Sequence, residues 1–316
     1  MKISLLDAST LGDDLDLSLL NRFGDVDVYP ATNPADIASR CQQSDVVVIN
    51  KIKINSDTLP DKGKLSLICV SATGYDNIDI DYCKKCGIAV TNVVGYSTDS
   101  VAQVTVSMVL YLANNLKSFS EFVTSGGYTQ SGVANKLTPV YHELCGKTWG
   151  IVGGGNIGSK VASVAEALGC RIVVCKRTPH VKYRTVDIDT LCSESDIITI
   201  HTPLSESTRH LINADRISEM KKNVVIVNTA RGAVTDEEAI CEGIMSGSIG
   251  AFGTDVYSVE PFDTEHPFNR IMHMPNVLLT PHMAWGSYEA RSRCLDEIIK
   301  NIECFIDGGL RNRLDV

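Results

Sequence analysis

The sequence predicts an α/β protein with two doubly wound domains, each built on a parallel sheet. Short apolar runs of strand length recur along the 316 residues and are separated by helix-length spacers, as in buried parallel strands. A glycine-rich turn at 153–158 lies between a strand-like and a helix-like segment. With 44% hydrophobic residues, a chain of this length can build two cores.

The first domain is predicted from five apolar runs that precede the glycine turn. They lie at 2–6, 26–29, 45–49, 67–70 and 88–91. Residues 99–118 then carry apolar side chains at helical spacing, and the Ser-Gly-Gly-Tyr sequence at 125–128 is predicted to end this long helix.

The second domain repeats the same plan after the turn. Its predicted strands lie at 150–152, 172–175, 197–200, 224–227, 249–252 and 277–279. The amphipathic stretch 287–306 is expected to form a last helix that crosses back to the first domain.

The glycine turn has the G-x-G-x-x-G spacing of a Rossmann dinucleotide site. Gly153 allows the tight turn, Gly155 lets the backbone approach a pyrophosphate, and Gly158 lets helix and strand pack closely. The helix N-terminus adds amide hydrogens and a positive dipole end. The alternative is a strand-to-helix connection that binds nothing, but the flanking strand and helix favour the site.

The end of the next strand indicates which dinucleotide binds. An NAD site usually has Asp or Glu about 20 residues beyond the glycines, whereas this chain has Lys176, Arg177 and Thr178 there. Two cations and a hydroxyl suit a 2′-phosphate. We therefore expect NADP to be preferred and NAD to be possible, the alternative being an ordinary solvated basic turn.

Composition narrows the class of protein. A net charge of −9 argues against nucleic-acid binding as the main activity, and the apolar stretch at the N-terminus is too short for a signal peptide or membrane anchor. Eleven cysteines cannot all pair, so we expect reduced core residues and a cytoplasmic enzyme. Cys83 and Cys86 have C-x-x-C spacing but lack a second pair, so no metal is expected.

Three chemically competent side chains follow predicted strands of the second domain. Arg231 and His282 lie just beyond the runs that end near 227 and 279, and Glu260 lies in the loop after the run that ends near 252. Ligands bind at the carboxyl ends of parallel strands. Each residue also has an ordinary interpretation, as a surface charge, a loop acid and a partly buried histidine.

Taken together, the motifs resemble a known family. From Lys51 to about Arg291 the chain resembles the D-isomer-specific 2-hydroxyacid dehydrogenases, especially their glycerate dehydrogenase and hydroxypyruvate reductase branch. Three stretches carry the resemblance, namely Ser-Ala-Thr-Gly-Tyr-Asp-Asn-Ile-Asp at 71–79, residues 92–103, and Thr-Pro-His-Met-Ala-Trp at 280–285.

The resemblance implies a domain plan and a reaction. Residues 1–98 plus 287–316 would form the substrate domain and 99–286 the dinucleotide-binding Rossmann domain, with the active-site cleft between them and a homodimer built around the cofactor domain. The implied reaction is reversible hydride transfer between NAD(P)H and a small 2-oxo acid, hydroxypyruvate or glyoxylate.

The resemblance also implies residue roles. His282 would donate the proton that the reduced carbonyl oxygen needs, Glu260 would orient the imidazole and favour its charged form, and Arg231 would anchor the substrate carboxylate and polarise the carbonyl. Further substrate-binding residues would be Lys51, Ala72, Thr73, Gly74 and Trp285. Besides the glycines and the basic turn, the implied cofactor contacts are Asn156, Ile157, His201, Thr202, Pro203, Thr229, Ala230, Arg231, Asp255, His282 and Ala284.

Other functions on this scaffold remain open from the sequence. A nucleotide-sensing co-regulator would need only the glycine turn and a partner groove, and a dehydrogenase for another 2-hydroxy acid would keep the same catalytic groups. A formate-oxidising relative would not need a histidine that cycles protons, and a structural oligomer would need no site. The Arg, Glu and His set favours the enzyme.

Overall fold

The computed structural model describes residues 1–316, which form two compact units. The first unit consists of 1–97 and 286–316, and the second of 98–285. None of the helices combines the length and the hydropathy that a bilayer-spanning segment needs.

The first unit is a five-stranded parallel sheet with helices. Its elements up to residue 97 are β1 (Lys2–Leu5), β2 (Asp25–Val28), α1 (Ile37–Gln42), β3 (Val46–Ile49), β4 (Leu67–Val70), α2 (Ile80–Lys85) and β5 (Ala89–Thr91). The strand order is β2-β1-β3-β4-β5, and every pairing is parallel. All five predicted strands are confirmed.

The second unit is a larger sheet of the same class. Its elements are α3 (Thr98–Ala113), α4 (Leu116–Thr124), α5 (Gly127–Ser131), β6 (Thr148–Val152), α6 (Asn156–Ala167), β7 (Arg171–Cys175), β8 (Arg184–Thr185), α7 (Ile188–Glu194), β9 (Ile197–Ile200), α8 (Ala214–Glu219), β10 (Val224–Asn228), α9 (Glu237–Ser246), β11 (Ile249–Thr254) and β12 (Val277–Leu279). The order is β12-β11-β10-β9-β6-β7-β8, again all parallel.

Alternation along the strands gives this sheet two cores. In β10, Val224 and Ile226 belong to one buried cluster, whereas Val225 and Val227 belong to another. Successive strand residues point to opposite faces, so the two clusters cover opposite faces of the sheet. The prediction of doubly wound parallel sheets is confirmed.

The single long helix predicted over 99–118 is wrong, because two helices occupy this stretch. The helix α3 ends at Ala113, and Asn115 has a φ of 51° before α4 begins at Leu116. Asparagine adopts the left-handed conformation more easily than most residues, since its short polar side chain can bond locally. The predicted end near Ser125 is confirmed by the end of α4 at Thr124.

The last helix belongs to the first unit. The helix α10 (Tyr288–Ile306) begins after Ser287, whose hydroxyl accepts a hydrogen bond from the N–H of Ala290 at 3.2 Å. Its buried residues recur at helical spacing, and the helix packs against β4.

Candidate active site

The glycine turn connects β6 to α6 with little room for side chains. Gly153 has a φ of 97°, and a Cβ there would lie 2.6 Å from the backbone carbonyl of His201. A Cβ on Gly158 would lie 2.0 Å from the carbonyl oxygen of Gly153, whereas one on Gly155 would meet nothing within 4 Å. The turn therefore has close packing at its first and third glycines and open space at the second, which is where a pyrophosphate would approach.

The basic segment after β7 reaches back to this turn. Lys176 is half-buried and its Nζ donates to the carbonyl oxygen of Gly154 at 3.3 Å, whereas Arg177 and Thr178 are exposed. His180 lies against the same glycine. Its Nδ1 accepts hydrogen bonds from two backbone N–H groups, so its ring proton is on Nε2, 3.1 Å from the hydroxyl of Ser159.

His201 follows β9 beside the first glycine. Part of the residue is exposed, but both ring nitrogens are buried and have no hydrogen-bond partner. Burial lowers the pKa of His201 to about 3, so the ring is neutral at physiological pH. A buried polar group without a hydrogen-bond partner is costly. Such a group is expected where a bound ligand supplies the missing partner. The following Thr202 is half-buried and Pro203 is exposed.

A buried asparagine shapes the turn that carries Arg231. Asn228 is fully buried at the end of β10, where its side chain accepts from the N–H of Ala230 at 3.0 Å and donates to the carbonyl oxygen of Arg231 at 2.9 Å. One guanidinium nitrogen of Arg231 donates to the carbonyl oxygen of Ala230 at 2.8 Å. Thr229 pairs with Thr105 through their hydroxyls, 2.8 Å apart.

Asp255 holds the segment that carries His282. This buried carboxylate accepts from the hydroxyl of Thr280 at 2.5 Å and from the N–H groups of Met283 and Ala284 at 2.9 and 2.8 Å. His282 lies between these anchored residues and has a φ of 53°. A positive φ at a non-glycine residue persists only where its surroundings impose it, and it is common at functional sites.

The imidazole of His282 meets the carboxylate of Glu260. Nδ1 lies 2.6 Å from Oε2, and about a quarter of each side chain is exposed. This distance is that of a strong charge-assisted hydrogen bond, which fixes the ring and leaves Nε2 as the nitrogen available to a ligand. The indole N–H of Trp285 donates to the carbonyl oxygen of His282 at 3.0 Å.

Sheet order explains why these residues lie at the same edge of the sheet. The strands β10, β11 and β12 are neighbours, and Arg231, Asp255 with Glu260, and His282 follow their respective carboxyl ends. The sequence predicted these strand-end positions. It did not indicate Asn228 or Tyr257, whose contacts depend on loop geometry, nor His180 and Ser159, which have no distinctive motif.

The substrate-binding residues predicted in the first unit occupy two loops. Lys51 is exposed after β3, and its N–H donates to Asp7 at 2.7 Å. After β4, the carbonyl oxygen of Ala72 accepts from Val93, and that of Thr73 accepts from the side chain of Asn92.

The N–H groups of Ala72, Thr73 and Gly74 make no hydrogen bond within the chain. Successive backbone N–H groups in a turn can bind an anion, so these three amides are candidates for that role.

Comparison with known proteins decides the family. Residues 106–284 match the family described as D-isomer specific 2-hydroxyacid dehydrogenase, NAD binding domain. The chain belongs to this family. The dehydrogenase is 33% identical over 285 residues to glycerate dehydrogenase of Methylorubrum extorquens, covering 90% of both chains. It is 38% identical over 260 residues to hydroxypyruvate reductase of Thermotoga maritima, covering 81% and 83%. The predicted family is confirmed.

Solved structures agree. The dehydrogenase matches D-lactate dehydrogenase of Aquifex aeolicus, complexed with NAD and lactic acid, with a TM-score of 0.87 at 26% identity over 100% and 99% of the chains. It also matches an acyclic imino acid reductase in complex with NADPH and D-Arg, with a TM-score of 0.87 at 28% identity over 99% and 100%. The dehydrogenase thus has the fold of enzymes that bind a nicotinamide cofactor, and nothing in these comparisons supports a co-regulator.

Proposed function

We propose that this dehydrogenase reduces hydroxypyruvate or glyoxylate with a nicotinamide cofactor, giving D-glycerate or glycolate in a reversible reaction. The observation that carries the proposal is the 2.6 Å contact of His282 with Glu260, placed beside the strand ends that carry Arg231 and Asp255. The glycerate dehydrogenase and hydroxypyruvate reductase relatives support this substrate class.

The chain's own residues provide each remaining step. A bound cofactor supplies the hydride, and the open space at Gly155, the first amides of α6 and the unpartnered ring of His201 suit its binding. Arg231 then pairs with the substrate carboxylate and polarises the carbonyl, and Nε2 of His282 gives the proton that the oxygen requires. Glu260 stabilises the charged imidazole before the transfer.

Further roles follow from family resemblance and local geometry. The unpaired amides of 72–74 suit a substrate carboxylate, with Lys51 as an additional charge and Trp285 as a wall for a small substrate. Thr202, Pro203, Thr229, Ala230 and Ala284 would contact the cofactor beside the glycines. Asp255 already holds three donors of the 280–284 segment, so its contact with the nicotinamide amide would use its remaining acceptor capacity.

A panel of 2-oxo acids tests the substrate. We expect kcat/KM to be highest for hydroxypyruvate or glyoxylate and lower for pyruvate and phenylpyruvate, followed as loss of reduced-nicotinamide absorbance. Each reaction would be run with NADPH and with NADH. A higher kcat/KM for phenylpyruvate than for hydroxypyruvate would contradict the small polar substrate. Cofactor binding without turnover of any 2-oxo acid would contradict the enzymatic proposal itself.

We also propose that NADPH is preferred over NADH. Lys176 is held at the glycine turn by Gly154 and Arg177 is exposed beside it, and two cations next to this turn support a contact with an adenosine 2′-phosphate. A charge-assisted contact contributes about 1.5 to 3 kcal/mol, which solvent exposure reduces. The missing carboxylate also removes the repulsion by which NAD sites reject the phosphate.

A charge reversal tests this preference. Wild-type enzyme should have a kcat/KM about tenfold higher with NADPH than with NADH, the effect of one surviving contact. Lys176→Asp combined with Arg177→Ala should invert the ratio and leave kcat with saturating NADH unchanged. Lys182→Ala is the matched control, because this lysine of the same segment is paired with Glu166. Equal kcat/KM values with NADPH and NADH in the wild type would mean that Lys176 and Arg177 point into solvent.

A homodimer is proposed from the exposed apolar residues of the second unit. Residues 128–143 are all exposed and lie between α4 and β6. The large apolar side chains of this stretch and of α4 that reach solvent are Leu116, Val123, Tyr128, Val133, Leu137, Val140 and Tyr141. Such a surface is unusual on a monomer, and a second copy is the simplest occupant.

Light scattering tests the dimer. The wild type should have twice the chain mass over a wide range of concentrations, and Leu137→Asp with Val140→Asp should give a monomer. A monomeric wild type would contradict the proposal.

The eleven free cysteines, seven of them buried, support a reducing, cytoplasmic location, and the net charge of −9 argues against nucleic acid as a partner.

A further inference from the structure

We propose that Glu237 is a positioning residue for Glu260, and that it acts by holding the loop of residues 257–260, here called the acid loop. The proposal rests on the proposed role of Glu260 as the partner of His282. Glu237 lies outside every set of residues assigned so far, at the first position of α9. Its carboxylate is almost completely buried, with 10% of the side chain exposed.

The carboxylate of Glu237 is bound to the acid loop through both oxygens. Oε1 accepts a hydrogen bond from the N–H of Ser258 at 2.8 Å, and Oε2 accepts one from the Ser258 hydroxyl. Ser258 is itself exposed, and the next residue, Val259, is 62% exposed. Tyr257 packs against the core, but Ser258 and Val259 bury so little apolar surface that their position depends on specific anchors. Glu237 is such an anchor.

His266 lies against the same carboxylate. Nε2 of this buried ring lies 3.1 Å from Oε2 of Glu237, outside the angular range of a hydrogen bond. Its Nδ1 accepts from the N–H of Phe268 at 3.3 Å, which leaves the ring proton on Nε2, near the carboxylate but not aligned with it. The ring packs among Tyr257, Phe262 and Phe268. Glu237 therefore lies between the loop, which it binds through two hydrogen bonds, and a histidine whose position is set by packing.

The acid loop transmits this restraint to Glu260. The N–H of Tyr257 donates to Oε1 of Glu260 at 3.0 Å, while Oε2 of the same carboxylate meets His282. The amide of Tyr257 thus helps to orient the carboxylate that the imidazole contacts. A displacement of Ser258 would move this neighbouring amide and, through it, the hydrogen bond that orients His282.

Two further contacts make the acid loop a junction of the catalytic segments. Burial raises the pKa of Tyr257 to about 12, so its phenol stays protonated and donates to the carbonyl oxygen of Thr280 at 2.8 Å, two residues before His282. The backbone of Gly232 approaches Tyr257 so closely that a Cβ would lie 2.0 Å from the Tyr257 carbonyl carbon. The segments that follow β10 and β12 both pack on this loop.

A double-mutant cycle separates positioning from folding. We expect Glu237→Gln to lower kcat about tenfold, since small displacements of catalytic groups cost one to two orders of magnitude, while KM and the dissociation constant of NADPH stay near wild type. In a Glu260→Gln background, Glu237→Gln should change kcat by less than about twofold, because the group through which it acts is already gone. Ser258→Ala should lower kcat in the same direction by a smaller factor.

The controls distinguish the possible failures. Glu242→Gln removes an exposed carboxylate of the same helix that pairs with Arg270, and should leave kcat unchanged. NADPH binding stoichiometry counts folded enzyme, and Ser258→Ala tests the contact if Glu237→Gln does not fold. If Glu260→Gln alone retains near-normal kcat, the role of Glu260 fails. Two results would show that Glu237 does not position Glu260. One is a normal kcat for Glu237→Gln when Glu260→Gln is impaired. The other is a kcat of the double variant that falls by the full product of the two single losses.

Discussion

Replacing His282 by glutamine should lower kcat by about 10² or more, the scale expected when a positioned acid–base group is lost. Glutamine can donate a hydrogen bond to the substrate oxygen, but it cannot transfer a proton. The contact with Glu260, which is 2.6 Å in the wild type, would no longer stabilise a positive charge, because the glutamine amide stays neutral. The dissociation constant of NADPH should stay near wild type.

The measurement compares steady-state kinetics with direct cofactor binding. Met283→Gln is a matched control, since the neighbouring residue is exposed and contributes only its backbone N–H to Asp255. It should retain kcat. Near-normal turnover of His282→Gln would refute the acid–base assignment, whereas loss of NADPH binding would show that the variant disturbs the segment rather than the proton transfer.

Strand-level features of the fold were predictable because burial determines them. All eleven strands read from apolar runs are present. Most are buried on both faces and so need a nearly continuous apolar sequence, whereas the edge strand β2 is not buried. The two-residue strand β8 was not predictable, because Arg184 and Thr185 carry no such pattern. The helix break at Asn115 was also missed, since the apolar spacing continues on both sides and only one residue changes its backbone conformation.

The candidate site divides in the same way. Arg231, Glu260 and His282 were predictable because each follows a strand, and neighbouring strands end at the same edge. The residues that hold these three side chains in place were not predictable in this role. Asn228, Asp255 and Glu237 act through hydrogen bonds to loop backbone, and such contacts depend on loop conformations that have no sequence period. Asp255 was expected at the cofactor, but its three contacts to the segment around His282 appear only in the structure.

Replacing Arg231 by alanine should lower kcat/KM by about 10² to 10⁴, more than any single change to the cofactor turn. Two charge-assisted hydrogen bonds to the substrate carboxylate, at about 1.5 to 3 kcal/mol each, account for this range. Both KM and kcat should suffer, because the guanidinium would bind the ground state and also polarise the carbonyl as negative charge develops on its oxygen. Arg231→Lys should recover only part of the loss, since an ammonium keeps the charge without the planar fork.

The geometry around Arg231 indicates that the backbone would survive this substitution. The turn is fixed by Asn228, which bonds the N–H of Ala230 and the carbonyl oxygen of Arg231 rather than the guanidinium. Arg184→Ala is a suitable control, because it removes an exposed guanidinium that pairs with Glu194. If Arg231→Ala raises KM and leaves kcat intact, the residue only captures the substrate. If neither parameter changes, the carboxylate must be bound elsewhere, and the unpaired amides of residues 72–74 would be the next group to test.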